Sequence, residues 1–74
     1  MKELLEIINT VLANANKKTV ETLSDNMHLR NDLGFDSFNL AELTVRIEEK
    51  FGVDVFENGL INTVGELKNE LKIS

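Results

Sequence analysis

The chain has no cysteine, a single histidine and no long apolar run. Without cysteine there is neither a disulfide nor a thiolate zinc site. A fold of 74 residues therefore does without the staples that small domains use when the core is thin. His28 has no second histidine to help ligate a metal and reads as a surface loop residue rather than a proton relay. The opening MKELLEIINTVL breaks its apolar residues with charge, so no secretory leader is expected, and no segment is long enough to cross a bilayer. Internal repeats, low-complexity tracts and Pro/Gly/Ser linkers are missing as well. Residues 1–74 are expected to form one cytoplasmic domain, without membrane insertion and monomeric.

Groups that could do chemistry are also scarce. Asp32, Asp36 and Glu42 do not make a calcium loop, because Leu33, Phe35 and Phe38 intervene and the acids do not alternate over twelve positions. Glu48 and Glu49 are a poor acid/base pair, since adjacent helical residues point about 100° apart. The chain is not expected to be an enzyme, nor to hold a metal.

What the chain does have is acid. Thirteen Asp and Glu face eight Lys and Arg, a net charge of −5. Phosphate backbones would be repelled, so nucleic acid is excluded in favour of a basic protein partner. The excess is concentrated in residues 36–54, where Asp36, Glu42, Glu48, Glu49 and Asp54 oppose only Arg46 and Lys50.

Periodicity predicts an all-α fold. A first helix spans Lys2–Ala15, with Leu4, Ile8, Val11, Leu12 and Ala15 on one stripe. Residues 16–36 form a long polar connection, pinned over the core by Val20, Leu23, Met27, Leu29 and Leu33, with a short helical turn near Val20–Leu23. A connection of that length in so small a domain points to function. The second helix starts at an Asp36 N-cap and runs to Phe51, where Gly52 stops it. Its core stripe is Leu40, Leu43, Ile47 and Phe51. The following segment carries an Asn58-Gly59 turn signal and one helical turn around Leu60. A last helix opens with a Thr63/Glu66 capping box and turns Val64, Leu67 and Leu71 inward. The expectation is a small four-helix bundle with three main helices and a short, irregular third.

Two features of the second helix bear on function. Ser37 falls in its first turn, exposed beside unpaired amides and the positive end of the helix dipole, a place suited to phosphate. Serine is also common at helix starts, and position alone favours that plainer reading. In addition, Phe38, Ala41 and Val45 make a second apolar stripe roughly 150° from the core stripe at helical spacing. Glu42 and Glu49 flank one side of it and Glu48 the other. A second stripe ringed by carboxylates reads as a docking surface, although from these residues alone Phe38 could equally pack against the loop.

The segment Asp32-Leu33-Gly34-Phe35-Asp36-Ser37-Phe38 resembles the D-L-G-x-D-S-[LM] signature of acyl carrier proteins. Ala41-Glu42-Leu43 and Ile47-Glu48-Glu49-Lys50-Phe51-Gly52 are similar to the family's recognition helix. Thr63-Val64-Gly65-Glu66-Leu67 looks like the start of its final helix. Four matched segments at the right separations make the resemblance specific and extend it over essentially the whole chain. It implies that a 4′-phosphopantetheine arm from coenzyme A is attached to Ser37 by a phosphopantetheinyl transferase. It also implies acyl intermediates carried as thioesters to acyl-activating, condensing or acyl-transferring enzymes of fatty-acid, polyketide or related lipid and glycan biosynthesis. The family docks on basic patches of its enzymes, which would make Asp36, Phe38, Ala41, Glu42, Val45, Glu48 and Glu49 the partner face. Such an arm supplies its own thiol, so a carrier needs no cysteine. An aminoacyl, peptidyl or D-alanyl carrier is the alternative, although Gly34-Phe35-Asp36-Ser37 leans to the acyl type. A non-carrying interaction module of the same fold is a third reading. Phe38 stands where Leu or Met is usual and Asn39 where Asp is usual, which makes the surface beside the arm bulkier and less acidic.

Overall fold

The structure, a computed structural model, describes residues 2–55 and 61–72. Its described helices are α1 (Lys2–Asn14), α2 (Ser37–Phe51) and α3 (Val64–Leu71). Among the described residues there is no strand, only an isolated antiparallel bridge between His28 and Thr63. The architecture seen is thus all-helical with three helices. The turn expected at Asn58-Gly59 and the helical turn around Leu60, the fourth helix of the expected bundle, lie outside the described residues.

α1 buries Leu4, Ile8, Val11 and Leu12, the expected stripe, and packs against α2. It ends a residue early, before Ala15. Asn16 turns left-handed at φ 59°, the Asn16 amide bonds Ala13 O at 3.1 Å and the Lys17 amide bonds Leu12 O at 2.8 Å. This pair of bonds is a Schellman lock, with Asn taking the left-handed position that Gly more often fills.

α2 buries Leu43 and Ile47 completely, while Leu40 and Phe51 pack at the margin of the core. Gly52 closes it in the left-handed region, its amide on Glu48 O. α3 is opened by the expected reciprocal cap: Thr63 Oγ1 accepts from the Glu66 amide at 3.2 Å, and Glu66 Oε1 accepts from the Thr63 amide at 3.0 Å. Val64, Leu67 and Leu71 face inward. The Glu66 carboxyl sits below its ordinary value because the Asn62 and Thr63 amides donate to it.

The connection between α1 and α2 is pinned as expected: Leu29 and Leu33 are buried, and Val20, Leu23 and Met27 pack against the core. The short helical turn near Val20–Leu23 is not formed. Both backbone groups of Val20 are taken by a distant side chain. Asn9 Nδ2 donates to Val20 O at 2.8 Å and Val20 N donates to Asn9 Oδ1 at 2.9 Å, which removes the partners a local turn would use. Farther along, the connection is sewn to the start of α3: Leu29 N donates to Asn62 O, Val64 N to Met27 O and Gly65 N to Asp25 O, each within 2.9 Å. Lys68 Nζ adds an ion pair to Asp25 Oδ1 at 2.6 Å.

Candidate functional site

Local folding around Ser37 follows from four residues that alternate inward and outward. Leu33 and Phe35 are buried, whereas Gly34 and Asp36 are exposed. Burying a phenylalanine side chain is worth roughly 1.5–3 kcal/mol, so Phe35 anchors the approach to α2 and forces its neighbours outward. Gly34 sits at φ 77°, where an L side chain would be strained. Its amide and that of Phe35 close a turn on Arg30 O and Leu29 O. Asp32 Oδ2 ties the same turn back to the His28 amide.

Asp36 is then extended (φ −100°, ψ −176°) and caps α2. Its Oδ1 accepts from the Asn39 amide at 2.9 Å, and Asn39 Oδ1 accepts from the Asp36 amide at 3.2 Å. Asn39 is thus tied into the cap rather than free beside Ser37. It is 9% exposed and forms half of the cap. An N-cap of this kind is worth about 1 kcal/mol. With Asp36 committed, Ser37 follows as the first residue of α2 and is exposed.

Phe38 is 85% exposed and Val45 57%, and Ala41 is exposed as well. Phe38 thus does not pack against the loop. An open groove of about 640 Å³ runs between the end of α1, at Asn14, Ala15 and Lys17, and the first turns of α2, at Asp36, Phe38, Asn39, Ala41, Glu42 and Val45. Of the residues anticipated for the docking face, five line this one groove beside Ser37. The remaining two part company. Glu48 is exposed outside it, and Glu49 lines a separate groove of about 300 Å³ with Glu3, Glu6, Arg46 and Lys50. Glu42 is half-buried and already engaged, accepting from Asn14 Nδ2 at 3.0 Å and from Arg46 Nε at 2.9 Å. Those two donors, Asn14 first, hold its carboxyl below the ordinary value. Periodicity did not reveal Asn14 or Lys17 as part of this region. An i, i+4 spacing of Glu42 and Arg46 was the one available sign that Glu42 is paired.

No group of three or more His, Asp or Glu residues among those described could hold a metal, and no described helix is long and apolar enough to cross a membrane. The phosphopantetheine attachment site family matches residues 2–71. The chain belongs to the acyl carrier protein family. An acyl carrier protein of Saccharopolyspora erythraea is 38% identical over 68 residues, covering 89% of this chain and 72% of the relative. Acyl carrier protein 3 of Ralstonia nicotianae is 35% identical over 66 residues, covering 86% and 76%. An acyl carrier protein of Rickettsia bellii is 35% identical over 69 residues, covering 90% and 84%. No solved structure matches at comparable significance.

Membership in the family brings a covalently attached 4′-phosphopantetheine. The residues around Ser37 fit such a group. The hydroxyl is exposed at the N-terminus of a helix of 15 residues, where the first amides have no intrahelical partner and favour an anion. Alongside lies a groove open to solvent.

Proposed function

We propose that the chain carries acyl groups as thioesters on a phosphopantetheine arm attached to Ser37 and presents them to enzymes of fatty-acid, polyketide or related lipid and glycan biosynthesis in the cytoplasm. The observation that carries this reading is the division of labour in residues 32–38. Leu33 and Phe35 are buried, Asp36 is spent on the cap and Asp32 on a loop amide, and Ser37 is the one polar side chain of the segment left exposed without a structural task. The bound arm supplies a thiol for the thioester.

Loading needs no base from this chain. A phosphopantetheinyl transferase would deprotonate the Ser37 hydroxyl, and the new Oγ–P bond would form as the pyrophosphate bond of coenzyme A breaks and the adenosine bisphosphate leaves. The partner face is Phe38, Ala41 and Val45 with Asp36 and Glu42 beside them. Glu48 and Glu49 extend its field towards basic patches of the partner enzymes, consistent with steering by complementary charge. Exposed apolar side chains in so small a fold support this face, since they are costly to leave unpartnered in a working complex. The acyl relatives favour acyl over aminoacyl cargo.

The test is loading in vitro. Incubation with coenzyme A and a broad-specificity phosphopantetheinyl transferase should raise the intact mass by one phosphopantetheine. Ser37→Ala should abolish the gain while retaining the helical spectrum. An arm added equally to the alanine variant would place the site elsewhere.

A further inference from the structure

We infer that Lys17 is a positioning residue for the arm, its ammonium pairing with the phosphodiester on Ser37 Oγ. The inference rests on Ser37 as the attachment point. Backbone geometry comes first: the Schellman lock at the end of α1 fixes Lys17 through the bond from its amide to Leu12 O at 2.8 Å. The side chain is half-buried and lines the groove. A Cβ placed on Gly34 would lie 3.9 Å from both Lys17 Cδ and Lys17 Nζ. The ammonium is therefore held against the turn that delivers Ser37, and it lines the same groove as Asp36 and Phe38, the residues on either side of that serine.

The acids of this groove are engaged: Asp36 by the Asn39 amide, Glu42 by Asn14 and Arg46. Lys17 is the groove's cation, and among the described residues no carboxylate lies within ion-pair distance of it. Lys68, by contrast, has Asp25. A phosphodiester added at the N-terminus of α2 would bring a permanent negative charge to the one side of the groove where a cation lacks a partner. Lysine suits this task as a mobile point charge on a flexible stem. The neighbouring Lys18 is fully outside the groove and serves as the internal control.

The experiment compares the apo chain with the chain loaded by transferase and coenzyme A, the adduct first being located on Ser37 by peptide mass. Nuclear magnetic resonance then reads the Lys17 ammonium by nitrogen and proton shifts, and the diester by phosphorus shift. The Lys17 ammonium signal should move on loading while that of Lys18 stays in place. Lys17→Met should move the phosphorus signal of the loaded chain, Lys17→Arg should move it less, and both differences should fade with added salt as the charges are screened. Unchanged Lys17 signals with the arm proven on Ser37, or a phosphorus signal indifferent to Lys17→Met, would overturn the inference and leave Lys17 as a residue complementing the C-terminal end of α1. An adduct mapped to a residue other than Ser37 would overturn the attachment reading itself, and the role of Lys17 with it.

Discussion

Replacing Gly65 by alanine sets two effects of known size against each other. Gly65 is the second residue of α3, and alanine is favoured over glycine by up to about 1 kcal/mol inside a helix. By that measure alone the variant should be more stable. At this position, however, a Cβ would meet Asp25 O at 2.9 Å and Asp25 Cβ at 3.1 Å, while the Gly65 amide already donates to the same Asp25 oxygen at 2.8 Å. The nearest atom is backbone and belongs to the seam that joins the long connection to α3, so it cannot swing aside as a side-chain tip would. Overpacking of this kind costs typically 1–3 kcal/mol. The first turn of a helix gains less than its interior from propensity, so the clash should win by about 1–2 kcal/mol. For a domain of this size each kcal/mol lowers the melting temperature by roughly 4–8 °C. Thermal melts followed by far-ultraviolet circular dichroism should therefore show Gly65→Ala melting roughly 5–15 °C lower. Hydrogen exchange should be faster at the Val64 amide, which bonds Met27 O across the same seam. A variant that melts at or above the parent would show that the seam yields freely and that the packing argument is wrong.

Three further outcomes follow from the same geometry. Leu43→Ala, at a fully buried position, should cost about 2–5 kcal/mol, whereas Val45→Asp should leave the melt nearly unchanged and impair transfer to partner enzymes; equal unfolding of both in denaturant titrations would refute the docking stripe. Glu48→Lys should slow transferase-dependent loading more at low salt than at high, because steering between exposed charges is screened, with stability within about 0.5 kcal/mol of the parent; a salt-independent rate would remove Glu48 from the docking field. The lowered pKa of Glu66 means that its charged form is favoured by the folded state, so its contribution is complete above the ordinary value of 4.5 and is lost as pH falls through the lowered one. The melting gap between the parent and Glu66→Gln should accordingly close on acidification, and a gap that widens would contradict the sign.

The helices could be read from the sequence because their signals are local. The spacing of Leu4, Ile8, Val11 and Leu12 gave α1, and Asp36, Gly52, Thr63 and Glu66 marked the ends of α2 and α3 with residues whose capping chemistry acts over three or four positions. The long connection could not be read the same way. Its conformation is set by Asn9 acting on Val20, by Asp25 acting on Gly65 and Lys68, and by a bridge from His28 to Thr63. Such polar contacts between residues far apart in the chain leave no periodic trace. The same distinction divides the site. The exposure of Ser37 followed from its cap position and the second stripe of Phe38, Ala41 and Val45 from helical phase, whereas a role for Ser37 came only from the family resemblance. The burial of Asn39 in the cap, the pairing of Glu42 with Asn14 and the place of Lys17 in the groove depend on how α1 meets α2. The charge count of residues 36–54 therefore overstated the free field at Glu42, whose partners are Asn14 and Arg46.

The most direct test of the carrier function is the mass of the chain isolated from the cells that make it, without added transferase or coenzyme A, followed by peptide mapping. The expected result is a population bearing one phosphopantetheine on the peptide that contains Ser37, part of it heavier by a thioester-bound acyl group that hydroxylamine removes. A chain recovered only at its bare sequence mass, from cells whose other carriers are loaded, would contradict the claim that Ser37 carries the arm.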